Sequence, residues 1–142
     1  MNKISIVLSF ALTILTGQVM ADANKPLALR KIMQELEINM KSITDGISTQ
    51  NWDVVKDSAE KIAQHPTPPF FEKLKILSYV GSNIGQYKKF NGNTSDAAEL
   101  LNKAAEKKDN QAVSQAYLQL KNSCVECHDR FLKPFVKHFY DE

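Results

Sequence analysis

The chain has 142 residues, of which 43% are hydrophobic and 24% charged, and its formal net charge is +2 at pH 7. This length suits one small domain. A charge so close to balance argues against a nucleic-acid partner. After residue 21 no apolar run reaches the roughly 20 residues that cross a bilayer, so we expect no membrane span in the rest of the chain.

The first 21 residues have the pattern of a secretory signal peptide. Lys3 supplies the charged start, residues 4–16 form an apolar run, and Val19-Met20-Ala21 is a small-residue cleavage site. The alternative is a membrane anchor, for which this run is short. We therefore predict cleavage after Ala21, a mature domain of residues 22–142, and export to an oxidising compartment, which in a bacterium is the periplasm.

Two amphipathic helices are predicted at the start of the mature domain, because apolar side chains recur there every three or four residues. Those of the first helix, between residues 27 and 47, are Leu29, Met33, Leu36, Met40, Ile43 and Ile47. Those of the second are Trp52, Val55, Ala59 and Ile62. We expect Gly46 to end the first helix and the prolines that begin at Pro66 to end the second.

Residues 66–93 are the least regular stretch, with three prolines and three glycines. They predict a crossover that contains one short helix. A third long helix is expected to begin at Asp96, where the carboxylate can cap it and Glu99 lies three residues further on. Asp109 and Asn110 are expected to break this helix.

The last predicted helix starts near Gln111 and carries Leu120, Cys124, Cys127 and Phe131 along its inward stripe. No segment alternates between apolar and polar residues for long enough to form a strand. Four amphipathic helices with one longer crossover predict an all-α fold, an antiparallel four-helix bundle.

The run Cys124-Val125-Glu126-Cys127-His128 contains the only two cysteines of the chain. In a C-x-x-C-H motif the two thiols can add across the vinyl groups of haem, and the histidine then binds the iron. This motif predicts covalent haem attachment near the C-terminus. Such a cofactor could also supply apolar surface that a domain of this size lacks.

Three other uses of the cysteine pair compete with this interpretation. A thioredoxin-like dithiol should follow a strand and begin a helix, whereas the approach to Cys124 is helical. A structural zinc site needs four ligands, and His65 and His138 stand alone in the sequence. The third alternative is an ordinary disulfide or a chance occurrence of the motif.

The sequence resembles the class II c-type cytochromes, which comprise cytochrome c′ and its low-spin, methionine-ligated relatives. Most c-type cytochromes attach haem near the N-terminus, whereas here the motif lies on the last helix of a bundle. The resemblance covers the mature chain: Arg30-Lys31-Ile32-Met33 and Asn39-Met40-Lys41 on the first helix, the Asp109 break, and residues 124–131 on the last.

The resemblance implies one covalently bound haem c. Cys124 and Cys127 would form its thioethers and His128 would be the proximal iron ligand. Met33 falls where the family places the residue on the distal side of the haem, which is the sixth ligand in low-spin relatives and only blocks the iron in five-coordinate ones. Met33 could also simply fill core, as we expect of Met40. Arg30 would pair with a haem propionate.

Two departures from the family pattern stand out. The family usually has an arginine or lysine four residues after the proximal histidine, where this chain has Leu132 between Arg130 and Lys133. The first-helix arginine, Arg30, also stands one residue closer to the methionine. The electrostatic environment of the haem is therefore expected to differ from that of typical family members.

We expect a carrier of single electrons between redox partners, rather than an enzyme. The alternative is a five-coordinate haem protein that binds small gases such as NO or CO. A third hypothesis is a helical interaction module without a cofactor, which a colourless protein would support. The sequence does not identify a redox partner. The resemblance is compatible with a homodimer.

Overall fold

The computed structural model describes residues 26–140, and the signal peptide predicted for residues 1–21 lies outside this range. Within it the chain forms five α-helices and no strand: α1 (Ala28–Ser48), α2 (Trp52–Ala63), α3 (Phe70–Val80), α4 (Ile84–Glu106) and α5 (Asn110–Phe139). The all-α class is confirmed. Over the same range no helix is both long and apolar enough to cross a membrane.

Helices α1, α2, α4 and α5 form the predicted antiparallel four-helix bundle. Side-chain hydrogen bonds fix the direction of one pair and join another. His65 after α2 meets Asn91 of α4, whereas Asn102 of α4 donates to the carbonyl of Lys56, so α2 and α4 run in opposite directions. Thr44 of α1 contacts Tyr117, in the first half of α5, at 2.8 Å.

The turn between α1 and α2 explains why Gly46 does not end the first helix. The helix continues to Ser48, and Gly46 is buried where α2 begins. A Cβ atom at Gly46 would lie 2.9 Å from Cγ2 of Val55 and 3.2 Å from the carbonyl oxygen of Asn51. The residue therefore allows two helices to approach closely, while the side chain of Asn51 caps α2 by accepting from the N–H of Val54.

The crossover is shorter than predicted. It contains the expected short helix, α3, and one 3₁₀ turn at Gly81–Asn83, after which α4 begins at Ile84 rather than at Asp96. The start of α4 was predicted wrongly because glycines are typical of loops, whereas Gly85 and Gly92 both lie inside this helix. Each glycine costs a helix about 1 kcal/mol relative to alanine, and the packing of a whole helix face outweighs that cost.

The sequence predicted Asp109 as a break between helices, and in the structure this residue also caps α5, because its carboxylate accepts from the N–H groups of Gln111 and Ala112. The helix runs for 30 residues through Pro134 to Phe139. The side chains of its last part pack on α3. There Tyr79 donates a hydrogen bond of 2.9 Å to the carbonyl of Pro134.

Two apolar clusters lie along the bundle. The larger one joins α1, α2, α4 and the first half of α5, with Ile43, Ile62, Leu101 and Leu120 almost fully buried. The smaller one joins α3 to the second half of α5. Its buried members are Ile76, Val80, Phe131 and Phe135, and Cys127 packs against it.

Candidate functional site

A cavity of about 280 Å³ lies beside the cysteine pair, between α1, α4 and α5. In this part of the bundle α1 packs on α2, and α5 packs on α4, whereas α1 and α5 stay further apart. We call this space the first cavity. Its lining is mostly apolar and comprises Met33, Leu36, Glu37, Met40, His65, Tyr87, Phe90, Asn91, Thr94, Cys124, Cys127 and His128.

The two thiols lie one helical turn apart on α5, and both are free and half-buried. Burial, reinforced by the neighbouring Cys124, raises the pKa of the Cys127 thiol to about 11. Burial also raises the pKa of the Cys124 thiol, although the hydroxyl of Ser123 acts in the opposite direction. Both side chains are therefore neutral thiols at pH 7.

This environment differs from that of a redox dithiol. In thioredoxin-like proteins the C-x-x-C pair sits at the start of a helix, where the helix dipole lowers the pKa of a thiol. Here Cys124 is in the interior of α5, which begins at Asn110, and the thiol pKa values rise. The surroundings of the pair thus disfavour the dithiol interpretation.

A second cavity, of about 400 Å³, opens on the other side of Met33 and His128. Both of these residues line both cavities, as do Tyr87 and Cys127. Met33 projects from α1 and His128 from α5. The thioether and the imidazole therefore border the same space from two different helices.

Arg30 and Tyr140 line the second cavity near the start of α1. The guanidinium carbon of Arg30 lies 5.1 Å from the ring centroid of Tyr140, which is a cation–π contact. The Tyr140 hydroxyl is buried and has no hydrogen-bond partner within residues 26–140. A cation and an unsatisfied phenol O–H at one edge of the cavity suit a carboxylate ligand.

The chain meets the structural requirements for a haem held by two thioethers. Two neutral thiols share one wall, an imidazole directly follows them, and the remaining surface is mostly apolar with a cationic edge. Three of the residues predicted from the sequence line both cavities, namely Cys127, His128 and Met33. Cys124 and Met40 line the first cavity, and Arg30 lines the second.

Several lining residues were missed by the sequence reasoning. Tyr87, Phe90 and Asn91 were assigned to the crossover, yet they lie on α4. Their spacing with Thr94 and Ala97 continues the helical pattern and could have revealed them. His65, which stands alone in the sequence, borders the first cavity as well, with Nδ1 donating to the carbonyl of Ile62 at 2.7 Å.

The fold and the motif together define a class, the helical bundles that carry C-x-x-C-H on their last helix. The chain belongs to the cytochrome c′ family, whose model, described as Cytochrome C', matches residues 28–132. The matched range runs from the start of α1 past His128, so the resemblance seen in the sequence is confirmed. Searches of curated proteins and of solved structures found no match.

Proposed function

We propose that the protein is a monohaem c-type cytochrome that carries one electron at a time, with the iron bound by His128 and Met33. The observation that supports this most is that Met33 and His128 line the same two cavities from separate helices, beside the cysteine pair. When bound, the haem supplies an iron that cycles between the ferric and ferrous states.

Cys124 and Cys127 would each form a thioether by adding the sulfur and the hydrogen of the thiol across one vinyl group. The raised pKa values keep that hydrogen on the sulfur at neutral pH. The two bonds hold the group against α5, where the imidazole of His128 is the next side chain along. Arg30 and the Tyr140 hydroxyl would receive a propionate at the edge of the second cavity.

The exposure of Met33 supports a ligand rather than a core residue. Its side chain is 37% exposed, whereas its neighbour Ile32 is 7% exposed and Ile43, on the same helix, is fully buried. A methionine that only filled core would be buried like these two. A thioether ligand favours ferrous iron and raises the reduction potential, which suits an electron carrier.

The second candidate function is the binding of small gases at an iron that lacks the methionine. The apolar wall formed by Leu36, Met40 and Phe90 favours it, because such a surface admits neutral diatomic molecules and disfavours anions. In this case Met33 would only shield the iron. Neither function requires a catalytic residue, and in both we expect an exported protein.

The visible spectrum of the holoprotein, oxidised and then reduced with dithionite, tests the proposal. We expect sharp ferrous α and β bands that CO does not change. Met33→Ala should give a high-spin spectrum that CO converts. Met40→Ala is the matched control, since Met40 lines the first cavity from the same helix, and it should stay low-spin. A high-spin wild-type protein would favour the gas-binding function, and a colourless one would refute both.

A further inference from the structure

The charged side chains are distributed unevenly between the two ends of the bundle. We call residues 26–31, 66–92 and 128–140 the basic end, because they contain nine lysines and arginines but only two carboxylates. The rest of the described chain, residues 32–65 and 93–127, contains seven lysines and eleven carboxylates. The overall charge near neutrality therefore conceals a strong separation of charge.

The segments of the basic end are joined in space as well as grouped by charge. The side chain of Glu72 on α3 accepts from the N–H of Ala28 at the start of α1. Arg130 on α5 donates to the side-chain oxygen of Asn83, just before α4. Tyr79 stacks on His138 at 4.2 Å between ring centroids. These contacts bring α3, the start of α1 and the end of α5 together.

The cations at this end are mostly not neutralised by carboxylates of the described chain. Of the nine, only Lys31 has a carboxylate of residues 26–140 within 4.0 Å, that of Glu35. By contrast, Lys41, Lys56 and Lys103 of the other part each form an ion pair. Unpaired cations project their field into the solvent, where it attracts an anionic surface.

An apolar patch lies within the basic end. Phe70 and Phe71 are 67% and 77% exposed, their rings meet edge to face, and Leu74 follows one turn later at 48%. Lys73 and Lys75 flank Leu74 in the sequence. On α5, Leu132 is also 48% exposed, lines the second cavity and precedes Lys133. Apolar side chains surrounded by charges are typical of transient protein interfaces.

The patch lies close to the cavities. Glu72, directly after Phe71, accepts from the N–H of Ala28 at the start of α1, and two residues further on Arg30 contacts the ring of Tyr140. Arg30 and Tyr140 both line the second cavity. The basic end therefore includes the edge of the site that is proposed to hold the haem.

We infer that the basic end is the docking surface for an acidic redox protein, with acidic side chains opposite the lysines and an apolar contact opposite Phe70, Phe71 and Leu74. This inference rests on the proposed function, because a carrier must present the edge of its haem to its partner. Charge attraction orients the encounter, and the small apolar patch suits the short-lived complexes that electron carriers form.

A membrane surface fits this end less well. Helices that lie on membranes bury a whole apolar face in the lipid. The opposite side of α3 is already occupied, because Ile76 and Val80 pack against Phe131 and Phe135. What remains exposed is one turn and a half at the start of a helix of 11 residues.

The test uses the holoprotein and an acidic flavodoxin as a probe of the partner's chemistry. One variant carries Lys73→Glu and Lys133→Glu in the basic end. The matched control carries Lys107→Glu and Lys121→Glu, both exposed and outside it. The two variants change the net charge equally, so any difference between them reports where the charges lie.

We expect the basic-end variant to lose at least about tenfold in the second-order rate constant for reduction by the reduced flavodoxin, and the control less than about threefold. The wild-type rate should fall as salt is raised to ~0.3 M. NMR shifts caused by oxidised flavodoxin should cluster on α3 and the end of α5. Phe71→Ser should weaken binding without changing the visible spectrum.

Equal losses in the two variants would overturn the inference, because net charge alone would then govern the rate. So would binding to vesicles that contain phosphatidylglycerol in preference to the flavodoxin, or self-association that Phe71→Ser abolishes. The NMR titration needs no electron transfer. A high-spin protein that still binds flavodoxin at this end would therefore refute the proposed function and leave the docking surface in place.

Discussion

Thr94 on α4 and Ser123 on α5 form a buried contact, with 3.1 Å between their hydroxyl oxygens. Ser123 directly precedes Cys124 and donates to the carbonyl of Leu120, and Thr94 lines the first cavity. Because few polar groups are buried in this interior, the pair fixes the position of one helix along the other. The contact thereby positions Cys124 in the wall of the first cavity.

Removal of either hydroxyl should therefore weaken the bundle. We expect Ser123→Ala and Thr94→Val each to lower the free energy of unfolding by about 1 kcal/mol, since each removes the contact between the two hydroxyls and that residue's own bond to a carbonyl of its helix. Urea unfolding of the holoprotein measures this. Ser114→Ala is the control, because that exposed hydroxyl only donates to Asn110 on the same helix. A control as costly as Ser123→Ala would contradict the account.

The glycines of α1 and α4 should respond to alanine in opposite directions. Gly46→Ala places a Cβ 2.9 Å from Val55 and should destabilise the protein by about 1–3 kcal/mol. Gly92→Ala meets no atom within 4 Å and should stabilise it by about 0.5–1 kcal/mol, because α4 loses less conformational entropy. Thermal unfolding compares the two, and changes of the same sign would refute this use of the glycines.

The sequence predicted much of the fold because its apolar periodicity is local. The bounds of α1 and α2 were predicted to within about two residues, and the break before α5 was placed at Asp109, which the structure shows to be the cap of that helix. The start of α4 was missed because the glycines there indicate a loop. Only contacts with α2 and α5, which are remote in sequence, make a helix favourable in that segment.

The site was likewise predicted only where local sequence patterns encode it. Cys124, Cys127 and His128 form a contiguous motif, and the family pattern pointed to Met33. The positions of Tyr87, Phe90 and His65 depend on how α4 and the end of α2 pack, which no local motif encodes. The uneven charge also became visible only when the fold brought α3 and the end of α5 together.

The pH dependence of thiol alkylation should reveal the burial of the cysteines in the apoprotein. Cys124→Ser leaves Cys127 as the single thiol and removes the neighbouring Cys124, the smaller of the two causes that raise its pKa. We therefore expect the pKa of Cys127 in this variant to lie between 9.0 and about 11. At pH 9 the folded thiol should react with iodoacetamide more slowly than the same thiol in urea. Equal rates, corrected for the solvent, would show that the thiol is not buried.

The same shift affects stability. The folded apoprotein holds its Cys127 proton more tightly than the unfolded chain, whose thiol has the ordinary pKa of 9.0. The contribution is fully present below pH 9 and is lost as pH rises towards 11, so the apoprotein should unfold more readily over this range. Cys127→Ala should flatten this part of the pH profile, and an unchanged slope would contradict the assignment.

His65 should act as a structural member of the cavity wall rather than as an iron ligand. Its Nδ1 donates to the carbonyl of Ile62, and its Nε2 lies 3.1 Å from the side-chain oxygen of Asn91. Both ring nitrogens thus have partners within the protein: the bond to Ile62 stays within the end of α2, and the contact with Asn91 joins this end to α4. His65→Ala should lower the free energy of unfolding by about 1–2 kcal/mol and leave the low-spin spectrum intact. Loss of that spectrum in His65→Ala, together with its retention in Met33→Ala, would transfer the sixth ligand from Met33 to His65.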